Sequence, residues 1–378
     1  MLNVLIAHAY STMNRGDGLL VELSKELIQE ALGPDVRIAV LALDAQSFQG
    51  SDPALQYAPA SRGFLSKASG ISKIAFSTWL GTPSVPALPH SGFQRPDLVI
   101  GVGGGYLRSD GGLRSVKSLI AHGLQMRWLI SLGVPMFYLP QSVGPLTDIE
   151  GKIIKRWASK IDRLNVRDDR SVSIFPKSAH IRRRPDLAVS SIARKLSVSS
   201  TNTLPTENPG LIARHLQRSP DVEERYRSSL HALMKDIPGL TPVLQSSGRG
   251  NDDPSFYSKM GWNSNAPYLR DLVSEDRRPQ LVISVRLHGA LESIIAGIPA
   301  IHLSYERKGF GAYDDLGISE FVHNANSFDV GLVIDQVRAI QANPRIYWEK
   351  LERSLPLINN HYQEMVLDLR QIVRSRSL

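Results

Sequence analysis

The stretch LVISVRLHGALESIIAGIPAIHLSYERK, residues 281–308, decides the fold. An apolar run from Leu281 to Val285 stops at Arg286-Leu287-His288-Gly289, and a helix-like segment follows. Gly297-Ile298-Pro299 then turns the chain into a second apolar run, Ala300–Leu303, which leads to Glu306-Arg307-Lys308. The order reads strand, cationic turn, helix, tight turn, strand, cationic loop. In a parallel α/β sheet the carboxyl ends of neighbouring strands lie along one edge, where ligands bind. Arg286, His288 and Lys308 are expected to gather there. The N–H groups of Gly289, Ala290 and Leu291 open the helix beside them, with the positive end of its dipole behind. Such a site is built for an anion.

Upstream, the same alternation recurs. Leu2–Ala7 and Val36–Leu43 read as strands flanking an amphipathic helix, Gly18–Leu32, which Gly33-Pro34 ends. Residues 45–95 are rich in Ser, Pro and Gly and read as a long surface excursion with one helix candidate, Ile71–Leu80. Regular structure resumes with strand Asp97–Val102, a Gly103-Gly104-Gly105 turn and a helix over Leu113–Leu132. Strand Pro135–Leu139, the loop Gln141-Ser142-Val143-Gly144-Pro145, a helix near Glu150–Ser159 and strand Asp162–Val166 follow. Arg167-Asp168-Asp169-Arg170-Ser171 opens another helix. Strands and helices of these lengths imply an α/β protein of two Rossmann-like, doubly wound domains facing a cleft. The Ser/Thr/Asn/Pro-rich run from Ser190 to Asn208 is the expected linker. It separates an N-terminal domain, 1–195, from a C-terminal one, 208–343, with a helical segment, 344–378, that packs back on the first.

The totals set limits. A chain of 378 residues exceeds one ordinary core. It has no cysteine, which excludes disulfides, thiolate metal sites and cysteine nucleophiles. No secretion signal or membrane span is read from the sequence, so the expectation is a soluble, cytoplasmic protein. The net charge of +8 is compatible with nucleic acid, an anionic membrane surface or an anionic substrate. Its Lys and Arg are dispersed and no nucleic-acid motif is present, so no nucleic-acid partner is expected. Arg182-Arg183-Arg184 and Arg370, Arg374, Arg376 are candidate patches for peripheral contact at the inner face of an acidic membrane; a merely solvated surface is the alternative.

Several clusters at strand ends carry candidate chemistry. Asn14-Arg15-Gly16-Asp17 precedes a helix and suits an N-capping turn as well as a ligand contact. Gly103-Gly104-Gly105-Tyr106 permits close backbone approach but does not complete a dinucleotide fingerprint. Arg167-Asp168 suits either a structural ion pair or a site. No grouping has metal-ligand spacing, and there is neither a nucleophile elbow nor a phosphate-binding P-loop. Tyr257, Trp262 and Tyr268, within Ser247–Asp271, offer either sugar-stacking faces or ordinary packing.

Taken in order, these pieces resemble the polysaccharide pyruvyl transferase family: Asn14-x-Gly16-Asp17, Asp97-Leu98-Val99-Ile100 with Gly103–Gly105, Gln141–Pro145, Val166-Arg167-Asp168 with Ser171, Pro185-Asp186-Leu187-Ala188, Arg286-Leu287-His288, Gly297-Ile298-Pro299 and Tyr305-x-x-Lys308. The resemblance implies a GT-B-like fold, phosphoenolpyruvate as co-substrate with no further cofactor, and a sugar acceptor, often lipid-linked, that gains a pyruvate ketal. It implies donor binding by Arg286, Leu287 and His288, and extends to Arg167 and Lys308. Asn14, Gly104, Gly105, Gln141, Ser142 and Gly289 complete the expected binding set. His288 is the expected general acid, because histidine as a residue type titrates near working pH; Asp17, Asp110 and Asp168 are candidate bases. Two other readings stand beside this one: a nucleotide-sugar glycosyltransferase of GT-B type, and a non-catalytic partner in polysaccharide assembly.

Overall fold

Every strand in the two main sheets runs parallel to its neighbours. The computed structural model describes residues 1–48, 53–57, 95–109, 111–175, 178–196, 208–248, 251–275 and 277–375. Most of the expected excursion, including its helix candidate at Ile71–Leu80, lies outside the described residues, as does Asp110. The chain divides into two units. The first comprises residues 1–12, 17–187 and 361–378, the second residues 13–16 and 188–360.

Unit 1 holds an eight-stranded sheet: β1 (Leu2–Ala9), β2 (Val36–Ala42), β3 (Ala54–Gln56), β4 (Leu98–Gly101), β5 (Gly104–Ser109), β6 (Met136–Leu146), β7 (Arg163–Val166) and β8 (Ile181–Arg183). Its order is β3-β2-β1-β4-β6-β7-β8, with β5 paired to β6. Strands covered on both faces need apolar residues throughout, and Val4–Ala7 and Leu98–Ile100 are buried in unbroken runs. Two local expectations are corrected here. Gly104 and Gly105 begin β5 rather than a turn, and Gln141–Pro145 continues β6 rather than forming a loop. Where β4 ends, β5 takes over as partner (Gly104 opposite Gln141, Leu107 opposite Val143), so the backbone beyond Pro140 keeps its hydrogen bonds. The expected helix at 113–132 is three pieces: Gly112–Ser118, a π-helical turn at Leu119–Gly123, and Leu124–Ser131.

Unit 2 holds β9 (Gly210–Ile212), β10 (Thr241–Pro242), β13 (Val282–Ser284), β14 (Ala300–Ser304) and β15 (Val322–Asn324) in the order β10-β9-β13-β14-β15, plus a short antiparallel pair, β11 (Ser247–Gly248) and β12 (Asn251–Asp252). Ile212, Val243, Leu269, Leu272, Val282 and Ile298 form one of its apolar clusters. The units do not follow the expected boundaries at 195 and 343. Ser190–Lys195, read as the start of a linker, closes the helix Leu187–Lys195, and Ala188, Val189 and Ile192 bury its apolar face. Glu306-Arg307-Lys308 is likewise no loop: Glu306 caps the helix Arg307–Asp315.

Three of the six arginines in the candidate membrane patches, Arg183, Arg184 and Arg370, are engaged inside unit 1, and Arg376 lies outside the described residues. Arg184, 9% exposed, pairs with Glu364 at 2.6 Å, and Arg183 pairs with Asp169 at 3.5 Å. Arg370 donates to the carbonyls of Glu30 and Ala31, both at 2.9 Å, the last turn of the helix Arg15–Leu32, where a cation offsets the helix dipole. Charges held this way offer little to a lipid surface.

Candidate active site

Both sheets reverse their winding once, and chemistry-bearing residues follow the strands at each reversal. In unit 2 the order turns between β9 and β13, so the loops leaving those two strands diverge and open a crevice at their carboxyl ends. Arg286 lies there as the N-cap of the helix Leu287–Ile295. Its guanidinium is turned onto Asp253, itself fully buried, through Nε contacts of 3.0 and 3.1 Å and a short contact from Nη2. Asp253 also accepts from the backbone N–H groups of Gln245, at 3.1 Å, and Ser246, at 2.9 Å. Burial pushes its carboxyl up, while the Arg286 charge and these amides pull it down. The structure thus binds Arg286 into a buried ion pair instead of leaving its whole fork to a ligand, as the sequence reading assumed. Nothing in the sequence marked Asp253 as the partner 33 residues upstream.

His288 lies in the first turn of the same helix. The backbone of Gly16 passes so close that a β-carbon there would sit 2.6 Å from His288 Nδ1. Residues 13–16 dock as a short strap. Met13 carbonyl accepts from Ser246 Oγ at 3.0 Å, Asn14 forms a β-bridge with Ser246, and Arg15 grips Glu292 through Nε and Nη2, each at 2.7 Å. Asn14 directly precedes the helix Arg15–Leu32, the position expected of a cap, and its backbone makes this bridge as well. Gly289 is obligatory for a related reason: a β-carbon would come within 2.7 Å of Ser284 Oγ and 2.8 Å of Gln245 Oε1. Leu287 is buried beside it.

Lys308 opens the helix after β14 and pairs with Glu306 at 2.8 Å. Between β13 and β14, His302 is buried and its Nδ1 lies 2.7 Å from the Ser284 carbonyl. Burial lowers its pKa to about 4, and the charges of Lys308 and His288 push the same way. Both side chains therefore act on one buried imidazole, and the sequence-level trio of Arg286, His288 and Lys308 is gathered at the ends of adjacent strands.

In unit 1 the order turns between β1 and β4. Here a pocket of about 200 Å³ is lined by His8, Tyr10, Asp17, Gly103–Gly105, Tyr106 and His122. Of the expected residues, Asp17, Gly104 and Gly105 reach it. Arg167 lies next to it, its Nη2 3.7 Å from where a Gly105 β-carbon would be, but is locked by the buried Asp186 and by Ser142 Oγ at 3.0 Å. Asp168 is the N-cap of the helix Asp169–Ile174: Oδ1 accepts from Ser171 N–H at 2.9 Å and Oδ2 from Ser142 Oγ at 2.7 Å. Its carboxylate is committed to that cap, which weakens its candidacy as a base. Gln141 is fully buried near the Tyr106 hydroxyl. Tyr257, offered as a stacking face, is instead a core residue whose hydroxyl bridges the backbones of β9 and its neighbours; Trp262 packs edge-on against it.

The two parallel α/β units define the fold class, and comparisons with known proteins bear on it. The structure of MnaA with UDP from S. aureus matches with a TM-score of 0.56 at 10% identity, over 99% of this chain and 97% of that one. A putative UDP-N-acetylglucosamine 2-epimerase from Listeria monocytogenes matches with a TM-score of 0.54 at 10% identity, over 98% and 96%. Identities this low speak for the fold alone, which is GT-B-like. The family profile described as polysaccharide pyruvyl transferase matches residues 14–307, and the chain belongs to that family. The amylovoran biosynthesis protein AmsJ of Erwinia amylovora is 32% identical over 75 residues, which is 20% of this chain and only 17% of that relative's length. Family membership ties the chain to polysaccharide biosynthesis. Among the described residues no group of side chains could hold a metal ion, and no helix is long and apolar enough to cross a membrane.

Proposed function

We propose that the protein transfers pyruvate from phosphoenolpyruvate to two hydroxyls of a sugar in a polysaccharide or its lipid-linked precursor, forming a ketal and releasing phosphate. The observation that carries this reading is the cationic end of unit 2. Arg286 and His288 follow β13 and Lys308 follows the adjacent β14, beside a helix N-terminus, within a chain of this family. Phosphoenolpyruvate is small and bears two anionic groups. A helix N-terminus supplies up to roughly 2 kcal/mol toward one of them, so cationic side chains must do more.

In this mechanism His288 delivers a proton to the donor's methylene carbon, and the adjacent carbon becomes electrophilic. One sugar hydroxyl attacks it, the carbon–oxygen bond to phosphate breaks, and the second hydroxyl closes the ketal. Of the two hydroxyl protons, one replaces that given by His288 and the other leaves with inorganic phosphate. Arg286, pinned by Asp253, fixes the start of the helix that carries His288, and Lys308 faces the second anionic group.

The test is acceptor-dependent phosphate release from phosphoenolpyruvate, with mass spectrometry of the product. His288→Ala should lower turnover by about 10²–10⁴-fold. In thermal-shift titrations phosphoenolpyruvate should raise the midpoint and UDP should not. Stabilisation by UDP but not by phosphoenolpyruvate would transfer the protein to the nucleotide-sugar enzymes.

A further inference from the structure

Three departures from regular backbone meet at the unit 1 pocket, and two of them carry a side chain that lines it. At the end of β1 the register against β2 shifts between Ile6 and Ala9, and His8 inside that bulge has φ of 65°, the left-handed region. Among the described residues His8 is the one non-glycine in that region, and bulges of this kind re-aim side chains. Its backbone N–H, lost to the ladder, donates to Gln125 Oε1 at 2.6 Å. Across the pocket His122 sits in the π-helical turn Leu119–Gly123, an irregularity that recurs at functional sites. Gly103–Gly105 form the floor between them, where β4 gives way to β5. Strain of this kind costs about 1–3 kcal/mol per residue and persists where function requires it.

The side chains so aimed form a stack. His8 lies on Tyr106 with ring centroids 4.8 Å apart, and Tyr106 lies on His122 at 4.7 Å. His8 Nε2 is engaged by the Tyr138 hydroxyl at 2.7 Å. The Nδ1 atoms of both His8 and His122 are buried and have no hydrogen-bond partner among the described residues. Buried polar atoms without partners are uncommon, and each one calls for an explanation.

The geometry points to a subsite for one uncharged pyranose ring, whose hydroxyls bond to His8 Nδ1, His122 Nδ1 and the Asp17 carboxylate. This inference rests on the transferase reading above and names the acceptor class for it. The pocket of about 200 Å³ is smaller than the roughly 300–1,000 Å³ that hold drug-sized ligands, so a single ring suits it and a nucleotide does not. Its charge excludes an acidic sugar. Burial holds His122 down to about 4 and His8 well below its ordinary value, so neither imidazole carries positive charge near neutrality. Arg167, next to the pocket, is paired with Asp186.

Saturation-transfer NMR on the full chain tests this with methyl glycosides of glucose, galactose and mannose, and with methyl glucuronate as the anionic control. At least one neutral glycoside should bind and the glucuronate should not. His122→Phe, which keeps the stacked ring and removes the nitrogen, and His8→Asn, which tolerates the left-handed backbone, should each weaken binding by roughly fivefold or more. Should either variant misfold, ring ¹⁵N spectra of the wild-type chain give the same answer: the Nδ1 resonances of His8 and His122 should move when sugar is added. No binding of any neutral glycoside, equal binding of glucuronate, or unmoved Nδ1 resonances would overturn the proposal. Phosphoenolpyruvate is titrated in parallel. A thermal response to it with no sugar binding defeats the pocket alone; histidine-dependent sugar binding with no such response defeats the donor reading alone.

Discussion

Replacing Asp253 by Asn is the perturbation whose size the structure defines best. The wild-type carboxylate is fully buried and bonds four donors: the Nε and Nη2 atoms of Arg286 and the amides of Gln245 and Ser246. An asparagine keeps one acceptor oxygen, adds an NH₂ group facing a guanidinium, and leaves the Arg286 charge buried without a counter-ion. Breaking a buried pair from one side costs about 3–5 kcal/mol. For a unit of this size each kcal/mol lowers the midpoint by roughly 2–4 °C, so unit 2 should melt about 6–20 °C earlier. Differential scanning calorimetry measures this directly. Asp252→Asn is the matched control, since Asp252 only caps the helix Asp253–Lys259 from an exposed position. Removing both members of the pair, as Asp253→Leu with Arg286→Met, should recover much of the loss, because the penalty is the orphaned charge. A drop of less than about 1 kcal/mol for Asp253→Asn would refute the account of Arg286 as a pinned, positioning side chain.

Three further outcomes follow from the same geometry. Gly16→Ala would place a methyl group 2.6 Å from His288 Nδ1; it should cost about 1–3 kcal/mol and raise the concentration of phosphoenolpyruvate needed for half-maximal thermal shift, and an unchanged titration would argue against the strap. His122 and His302 both titrate near 4 when folded, below the unfolded value of about 6.5. The unfolded chain therefore binds the extra protons first, and stability should fall as pH drops from about 6.5 toward 4, by roughly 2–3 kcal/mol per histidine at pH 4.5; urea unfolding of wild type against His122→Phe isolates one share, and parallel curves would refute it. Asp168→Ala should lose about 1 kcal/mol of stability through its cap and less than about tenfold in turnover, whereas a loss of 10²-fold or more would restore it as a base.

Much of the fold was legible because parallel strands announce themselves. The runs at 4–7, 98–100, 281–283 and 300–301 are apolar and buried without interruption. The cationic trio could be read for the same reason, since residues just past such strands share one edge. What stayed hidden were features fixed by pairing across distance. Gln141–Pro145 looks like a loop because Gly and Pro favour turns, yet β5 supplies its partner strand. Asp253 and Asp186 carry no local sign of the arginines they hold. His8 sits in an apolar strand and reads as a satisfied core histidine; its positive φ is visible only in the backbone, and the π-helical turn that aims His122 leaves no mark in the periodicity of residues 112–131.

The assignment of residues 361–378 to unit 1 has a consequence for how the chain is made. Arg370 closes the last turn of a helix that left the ribosome more than three hundred residues earlier. A chain ending at residue 360 holds every residue of unit 2 but lacks the last segment of unit 1, the end of the helix Arg345–Arg374. A chain truncated after residue 360 should therefore show a protease-resistant unit 2 and an N-terminal half that is still cut.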